Sequence, residues 1–226
     1  MTTKPWFIVG FMAAVALVFG SGVTGIYLGA AGLLQRNTEF LRQRALVSVF
    51  GYGDPRSMTK PEVSALVTAQ VVAGERCTDP ETGASFELIK AYADAGRTEL
   101  KAYGFQFRGL AFWGPVQAIL AVTPDLTRTV GLVVLEQSET PGLGGRIEEP
   151  VFTDQFRAGI TVAPNGPGPF IRMASAGTPD PDGRQVDAIT GATQTCMALE
   201  RVLNQQLGVF HRAMAVRPAA TSAGSL

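Results

Sequence analysis

The chain has 226 residues, enough for one sizeable domain and an accessory segment. Lys plus Arg and Asp plus Glu each total 19, so the formal net charge is zero, which argues against a nucleic-acid binder that must neutralise phosphates. Two cysteines, Cys77 and Cys196, and the single histidine His211 cannot assemble a zinc site or an iron–sulfur cluster without help, and no CxxC or HExxH motif occurs.

No charged residue lies between Lys4 and Arg36, and the stretch WFIVGFMAAVALVFGSGVTGIYLGAAGLL is apolar or small throughout. A spanning helix needs about 20 such residues, so residues 1–35 read as a transmembrane anchor. A cleaved signal peptide is the competing reading, because GAAG at 29–32 offers small residues for cleavage. Its apolar core would normally run to only about 7–15 residues. Trp6 and Tyr27 suit the two membrane interfaces. Gly25 and Gly29 form a GxxxG pair, a face that lets a partner helix approach closely, although glycine is also simply frequent in membrane helices. Lys4 precedes the span, and Arg36, Arg42 and Arg44 follow it, so charge bias alone would leave the C-terminal domain in the cytoplasm.

Residues 36–72 read as a connecting helical segment. Leu41, Ala45, Leu46 and Val49 give a helical stripe, and Ser57 or Thr59 can cap a second helix with Pro61 in its first turn. GERCTDPETGAS reads as a turn-rich loop carrying a passive or disulfide-forming Cys77. Residues 73–215 then read as one domain. FELIKAYAD, LKAYGFQFRG, PVQAILAVTP and TVGLVVLEQSE are predicted strands, rich in β-branched and aromatic residues and separated by glycine, proline or aspartate. TPDLTRT is a hairpin-like turn. FTDQFRAG is a predicted short helix, AGITVAP and PFIRMASAG are predicted strands, and GTPDPDGRQ is a loop. TQTCMALERVLNQQLGVFHRAMA is helical, with Met197, Val202, Leu203 and Leu207 expected to face the core and His211 expected at a helix end or surface. The tail, residues 216–226, reads as disordered. The fold class is therefore α+β, a mostly antiparallel sheet with flanking helices behind an N-terminal transmembrane helix.

Two loops carry candidate chemistry. DAITGATQT, residues 187–195, leads into the last helix, where unpaired N–H groups and the helix dipole favour an anion such as phosphate. Gly191 lets backbone approach a ligand and Ala192 keeps the way clear, while Thr190 or Thr193 can cap the helix. An ordinary N-cap is the plainer alternative. SETPGLGGRI, residues 138–147, presents backbone through Gly142, Gly144 and Gly145 and leaves Leu143 as an apolar tip. That composition suits the flat face of an aromatic cofactor, and a long turn between strands is the plainer alternative. No GxGxxG follows a strand, so a dinucleotide fold is not supported.

Together, ETPGLGG and DAITGATQT resemble the FMN-binding domain found in the G component of the Rnf electron-transport complex and in the C component of the sodium-translocating NADH:quinone reductase. The N-terminal helix, RGLAFWGPVQAILAV and FTDQF extend the resemblance over most of the chain. The resemblance implies that the threonine motif is a flavinylation site, with FMN carried by Thr195 through a phosphoester. Asp187, Thr190, Gly191, Ala192 and Thr193 map onto the rest of the motif. Glu139, Thr140, Gly142, Leu143 and Gly144 would lie against the isoalloxazine ring. The resemblance further implies a flavin transferase that installs FMN from FAD with magnesium, membrane partners in a redox-driven ion pump, and a flavin domain on the periplasmic face of the inner membrane. There, Cys77 and Cys196 would meet oxidising conditions, and a disulfide between them stays open without support. The sequence departs from the family at Gln137, where a histidine is usual, and at Ala111, where glycine is usual. A stand-alone flavin reductase and a non-redox tethered binding module are the alternative functions.

Overall fold

A computed structural model describes residues 5–163 and 169–217. The chain divides into two compact units, Met1–Arg42 and Gln43–Leu226. In the first unit, Pro5–Ala30 is a 26-residue apolar stretch of helix, long and apolar enough to cross a membrane. Its large side chains are exposed, Trp6 and Tyr27 among them, and a Cβ added at Gly25 or Gly29 would find no atom within 4 Å among the described residues. This stretch opens the long helix α1, Pro5–Val49.

The second unit is α+β. After the end of α1 come α2 (Lys60–Gln70), β1 (Val71–Thr78), β2 (Ser85–Tyr92), β3 (Leu100–Leu110), β4 (Pro115–Val122) and β5 (Thr129–Glu136). A 3-10 turn (Gly144–Glu148), α3 (Pro150–Arg157), β6 (Arg172–Ala174), β7 (Gln185–Asp187) and α4 (Thr193–Ala215) complete it. Strands β1 to β5 form one antiparallel meander in sequence order. β6 and β7 pair in parallel as a separate ribbon.

Alternation along the strands gives the sheet two buried faces. On β4, Val116, Ala118, Leu120 and Val122 join the core beneath α3 and α4, whereas Ile119 and Ala121 face Ala45, Leu46, Val49 and Phe50. Buried on both sides, β4 reads as the continuous apolar run VQAILAV. On the first face, Phe105 stacks on Phe210 of α4 with ring centroids 4.5 Å apart. On the second, a Cβ on Gly104 would come within 2.7 Å of the Phe50 ring, so this strand position has to lack a side chain.

Local signals set several boundaries. Glu62 reaches back to accept hydrogen bonds from the Thr59 N–H at 2.7 Å and the Thr59 hydroxyl at 2.8 Å, fixing the start of α2 with Pro61 in its first turn. The Ser57 hydroxyl instead donates to the Asp54 carbonyl in the preceding turn.

Several expectations are corrected. GERCT is strand, not loop. β1 is an edge strand whose pairing with β2 slips between Ala73 and Glu75, and its charged, bulged sequence hides the alternation. Of AGITVAP, residues 158–163 form no strand and the last residue lies outside the described residues. Thr161 makes a single bridge to Arg128, because its N–H turns to the Gly183 carbonyl at 2.6 Å while the next N–H, of Val162, goes to Thr127 at 2.7 Å. Met197 is 61% exposed, off the stripe formed by Val202, Leu203 and Leu207, and Leu41 is also exposed. His211 is buried, not at the surface. Its ring stacks on Phe170 at 5.0 Å, and burial pushes its imidazole below the ordinary range. Of the tail, Val216 and Arg217 are described, and Arg217 pairs with Glu75 of β1. Residues 218–226 lie outside the described residues.

Candidate functional site

The two loops that stand out in the sequence meet at the N-terminus of α4. Ile189 to Ala192 make a tight turn, closed by the Ala192 N–H to the Ile189 carbonyl at 3.0 Å, with Gly191 at φ +82°. That backbone conformation suits glycine. The helix N-cap is Ala192, which offers no side-chain acceptor, so neither Thr190 nor Thr193 caps the helix as expected. The N–H of Cys196 is the first to find a helical partner, at the Ala192 carbonyl. Those of Thr193, Gln194 and Thr195 have no acceptor among the described residues. A 23-residue helix thus begins with free donors and the positive end of its dipole.

Thr195 lies in that first turn, and its hydroxyl donates to Glu139 Oε2 at 2.6 Å. Both residues are 4% exposed. The other carboxylate oxygen of Glu139 accepts the Trp113 N–H at 2.7 Å. The Glu139 N–H donates to Gln137 Oε1 at 2.6 Å, and Gln137 Nε2 donates to Glu148 at 2.9 Å. Gln137 is therefore the strut that sets the loop's backbone. Gly144 packs against the pair. A Cβ there would overlap Thr195 Oγ1 and come within 2.8 Å of Glu139 Oε2.

Above this contact is a cleft of about 260 Å³ lined by Phe112, Trp113, Thr140, Leu143, Gly144 and residues 191–195. Phe112 and Trp113 stand edge to face, 5.0 Å between ring centroids, in the turn joining β3 to β4, and both are exposed. With Leu143 they give the mouth an apolar, aromatic rim. The cleft gathers Thr195, Thr193, Ala192, Gly191, Thr140, Leu143 and Gly144 among the residues expected from sequence, with Glu139 beneath. Gly142, at φ +75°, shapes the loop from outside.

Asp187 and Thr190 are not brought into it. They line a neighbouring cavity with Arg146, Phe152 and Gln155. The Asp187 N–H donates to Gln155 Oε1 at 2.6 Å, which ties the motif's approach to α3. Phe112, Trp113 and Gln194 were not among the residues expected at the site. The signal for the first two was an aromatic pair between glycines, in GLAFWG. Cys77 and Cys196 are buried free thiols. Burial raises both above the ordinary thiol range, and Cys196 Sγ accepts the Ile189 N–H at 3.3 Å. They form no disulfide. No cluster of metal-ligating side chains occurs among the described residues.

The residues present fit a flavin phosphate. Free N–H donors face an anion-sized space with the Thr195 hydroxyl held against Glu139 at its foot, glycine backbone clears it, and an aromatic rim adjoins it. The α+β domain with this site resembles a flavin-binding domain, and residues 111–208 match the FMN-binding domain family. The chain is 29% identical over 157 residues to the C component of the Na(+)-translocating NADH-quinone reductase of Vibrio campbellii, a match covering 70% of this chain and 58% of that protein. The corresponding component from Pseudomonas aeruginosa is 25% identical over 232 residues, covering 86% of this chain and 88% of the relative. The crystal structure of Shewanella oneidensis NqrC shares the fold, with a TM-score of 0.64 at 20% identity over 76% of this chain and 96% of the other. The crystal structure of the same component from Parabacteroides distasonis likewise gives 0.64, over 82% and 97%. The chain spans between 45% and 59% of the length of the first three Vibrio relatives it matches.

Proposed function

We propose that this chain is a membrane-anchored electron-transfer subunit with FMN held as a phosphoester on Thr195, in an ion-translocating redox complex of the Rnf or quinone-reductase type. One observation carries the reading. The Thr195 hydroxyl sits at the foot of an aromatic-rimmed cleft, on a helix whose first N–H groups lack acceptors. A phosphoester would place an anion beside those donors and the positive end of the dipole. The relatives from the Na(+)-translocating NADH-quinone reductase favour the quinone-reductase type.

The N–H groups of Thr193, Gln194 and Thr195 would hold the phosphate. Phe112, Trp113 and Leu143 would shield the ring from water, and Thr140 would supply a polar edge. FMN supplies one- and two-electron redox chemistry when bound, and the protein tunes it by packing and hydrogen bonding. Attachment exchanges the pyrophosphate bond of FAD for a phosphoester. The Thr195 Oγ–P bond forms, the pyrophosphate P–O bond of FAD breaks, AMP leaves, and the hydroxyl proton passes to solvent or base. A flavin transferase with magnesium would catalyse the step.

A tether makes sense on the periplasmic face of the inner membrane, where lost FMN could not be replaced. In this reading Pro5–Ala30 spans the bilayer and other membrane subunits are the electron-transfer partners. The test is intact mass and in-gel fluorescence of the chain co-expressed with a flavin transferase. Wild type gains FMN mass and fluorescence that survives denaturation, and Thr195→Ala gains neither. No added mass in wild type would overturn the phosphoester. Protease protection of the soluble domain in spheroplasts would overturn the periplasmic placement.

A further inference from the structure

We propose that the Glu139–Thr195 hydrogen bond is a clasp that holds the unmodified domain closed, so that segment 138–145 must lift from α4 before Thr195 can be esterified. The inference rests on the phosphoester reading above and concerns how access to that site is regulated. Thr195 is 4% exposed, and its hydroxyl is committed to a carboxylate at 2.6 Å. A phosphodiester would put phosphorus one bond from Oγ1, with three further oxygens around it. Two sides of Oγ1 are already filled. One is taken by Glu139 Oε2, and on the other a single carbon added to Gly144 would overlap the hydroxyl oxygen. A nucleophile enclosed in this way is protected from a transferase and its FAD.

The charges point the same way. Once esterified, Thr195 has no proton to donate, so Glu139 Oε2 loses its partner and faces a phosphate anion. Like charges at contact in a buried site are strongly unfavourable. The carboxylate must then leave, and the loop with it. Among the described residues, Glu139 is held by two donors only, the Trp113 N–H and the Thr195 hydroxyl. The segment also has a place to bend. Gly142 is at φ +75° with open space around it, next to the exposed tip Leu143. Release therefore breaks one direct hydrogen bond to α4, and no residue of 138–145 belongs to the main apolar core. The clasp keeps Thr195 Oγ1 closed off from the cleft, and modification leaves that position open to it.

The experiment follows the full chain in detergent with a flavin transferase, FAD and magnesium, reading the rate of FMN mass gain. Glu139→Ala should be modified roughly ten- to a hundred-fold faster than wild type, the factor expected for loss of a charge-assisted closing hydrogen bond of about 1.5–3 kcal/mol. Glu139→Gln, which keeps the shape without the charge, should fall between them. Cooperative thermal melts establish that both variants are folded. Hydrogen–deuterium exchange provides a readout in the wild-type protein itself, with residues 138–145 protected before modification and exchanging faster after it. Folded Glu139 variants that are modified more slowly would make the carboxylate the acceptor of the Thr195 proton and overturn the clasp. Unchanged rates with unchanged exchange would also overturn it. No FMN mass in wild type or any variant would defeat the phosphoester reading itself, and the clasp with it, whatever the exchange data showed.

Discussion

Adding one methyl group at Gly144 tests the packing on which the site depends. The Gly144→Ala Cβ would come within 2.8 Å of Glu139 Oε2 and 3.0 Å of Glu139 Cβ, and would overlap Thr195 Oγ1. All three atoms belong to residues 4% exposed, so none can move freely into solvent. Overpacking a tight site costs about 1–3 kcal/mol. If the clash is relieved by breaking the Thr195–Glu139 bond, a charge-assisted hydrogen bond worth about 1.5–3 kcal/mol is lost instead. The two costs are alternatives rather than a sum, which places the loss at about 1–3 kcal/mol. For a chain of this size that lowers the melting temperature by roughly 2–12 °C. Gly142→Ala is the control. It sits in the same loop at φ +75° with nothing within 4 Å, so it carries only the left-handed backbone penalty, about 1–2 kcal/mol. Melting followed by near-ultraviolet circular dichroism, on the full chain in detergent, separates the two. Gly144→Ala should be the more damaging. If Gly142→Ala cost as much or more, the close seating of the loop on α4 would be wrong, and Thr195 would not be enclosed.

Cys77 and Cys196 should resist thiol reagents in the folded chain and react promptly once urea unfolds it. Both are buried, and burial holds their thiols in the protonated form. Asp79 should anchor acid stability. Two hydrogen bonds from the Arg212 guanidinium, at 2.9 and 2.7 Å, hold its carboxyl well below the usual range, so the folded state binds its proton less readily than the unfolded chain. That stability is full above the unfolded carboxyl pKa of about 3.9 and falls as pH drops through the depressed folded value. Arg212→Met should therefore shift the acid-unfolding midpoint to higher pH. Tyr52 shows the opposite sign. Its hydroxyl donates to the Tyr92 carbonyl at 2.6 Å, and burial pushes its pKa up to about 12. Its contribution is full below about pH 10 and is lost as pH rises toward the folded value, so Tyr52→Phe should flatten the alkaline decline seen by urea unfolding. Phe210→Ala should cost about 3–5 kcal/mol in urea unfolding, because Phe210 is fully buried and stacks on Phe105.

What could be read in the sequence follows the range of the interactions involved. The strands β2 to β5 are visible because alternation and turn residues are local, whereas the covering of VQAILAV on both faces emerges only in the structure. β1 escapes because an edge strand is held by its neighbour's backbone and has little need of apolar residues. Its bulge at Gly74 breaks what alternation remains. Gly191 and Gly142 could be placed in turns from composition, since left-handed backbone favours glycine whatever surrounds it. Gly144 is different. Its reason lies about 50 positions away, in the Thr195 hydroxyl, and no local pattern separates it from Gly142. The same holds for the caps. Threonines clustered at a helix start predict side-chain capping, yet the cap is Ala192 and the first donors stay free. An ordinary stabilising cap would occupy the N–H groups that an anion needs. The absence of a cap on a 23-residue helix is a local cost that makes sense when something else meets those donors. The sequence motif thus marks the site by what its threonines leave undone at the helix end, while the contact that guards Thr195 comes from a loop 56 residues earlier in the chain.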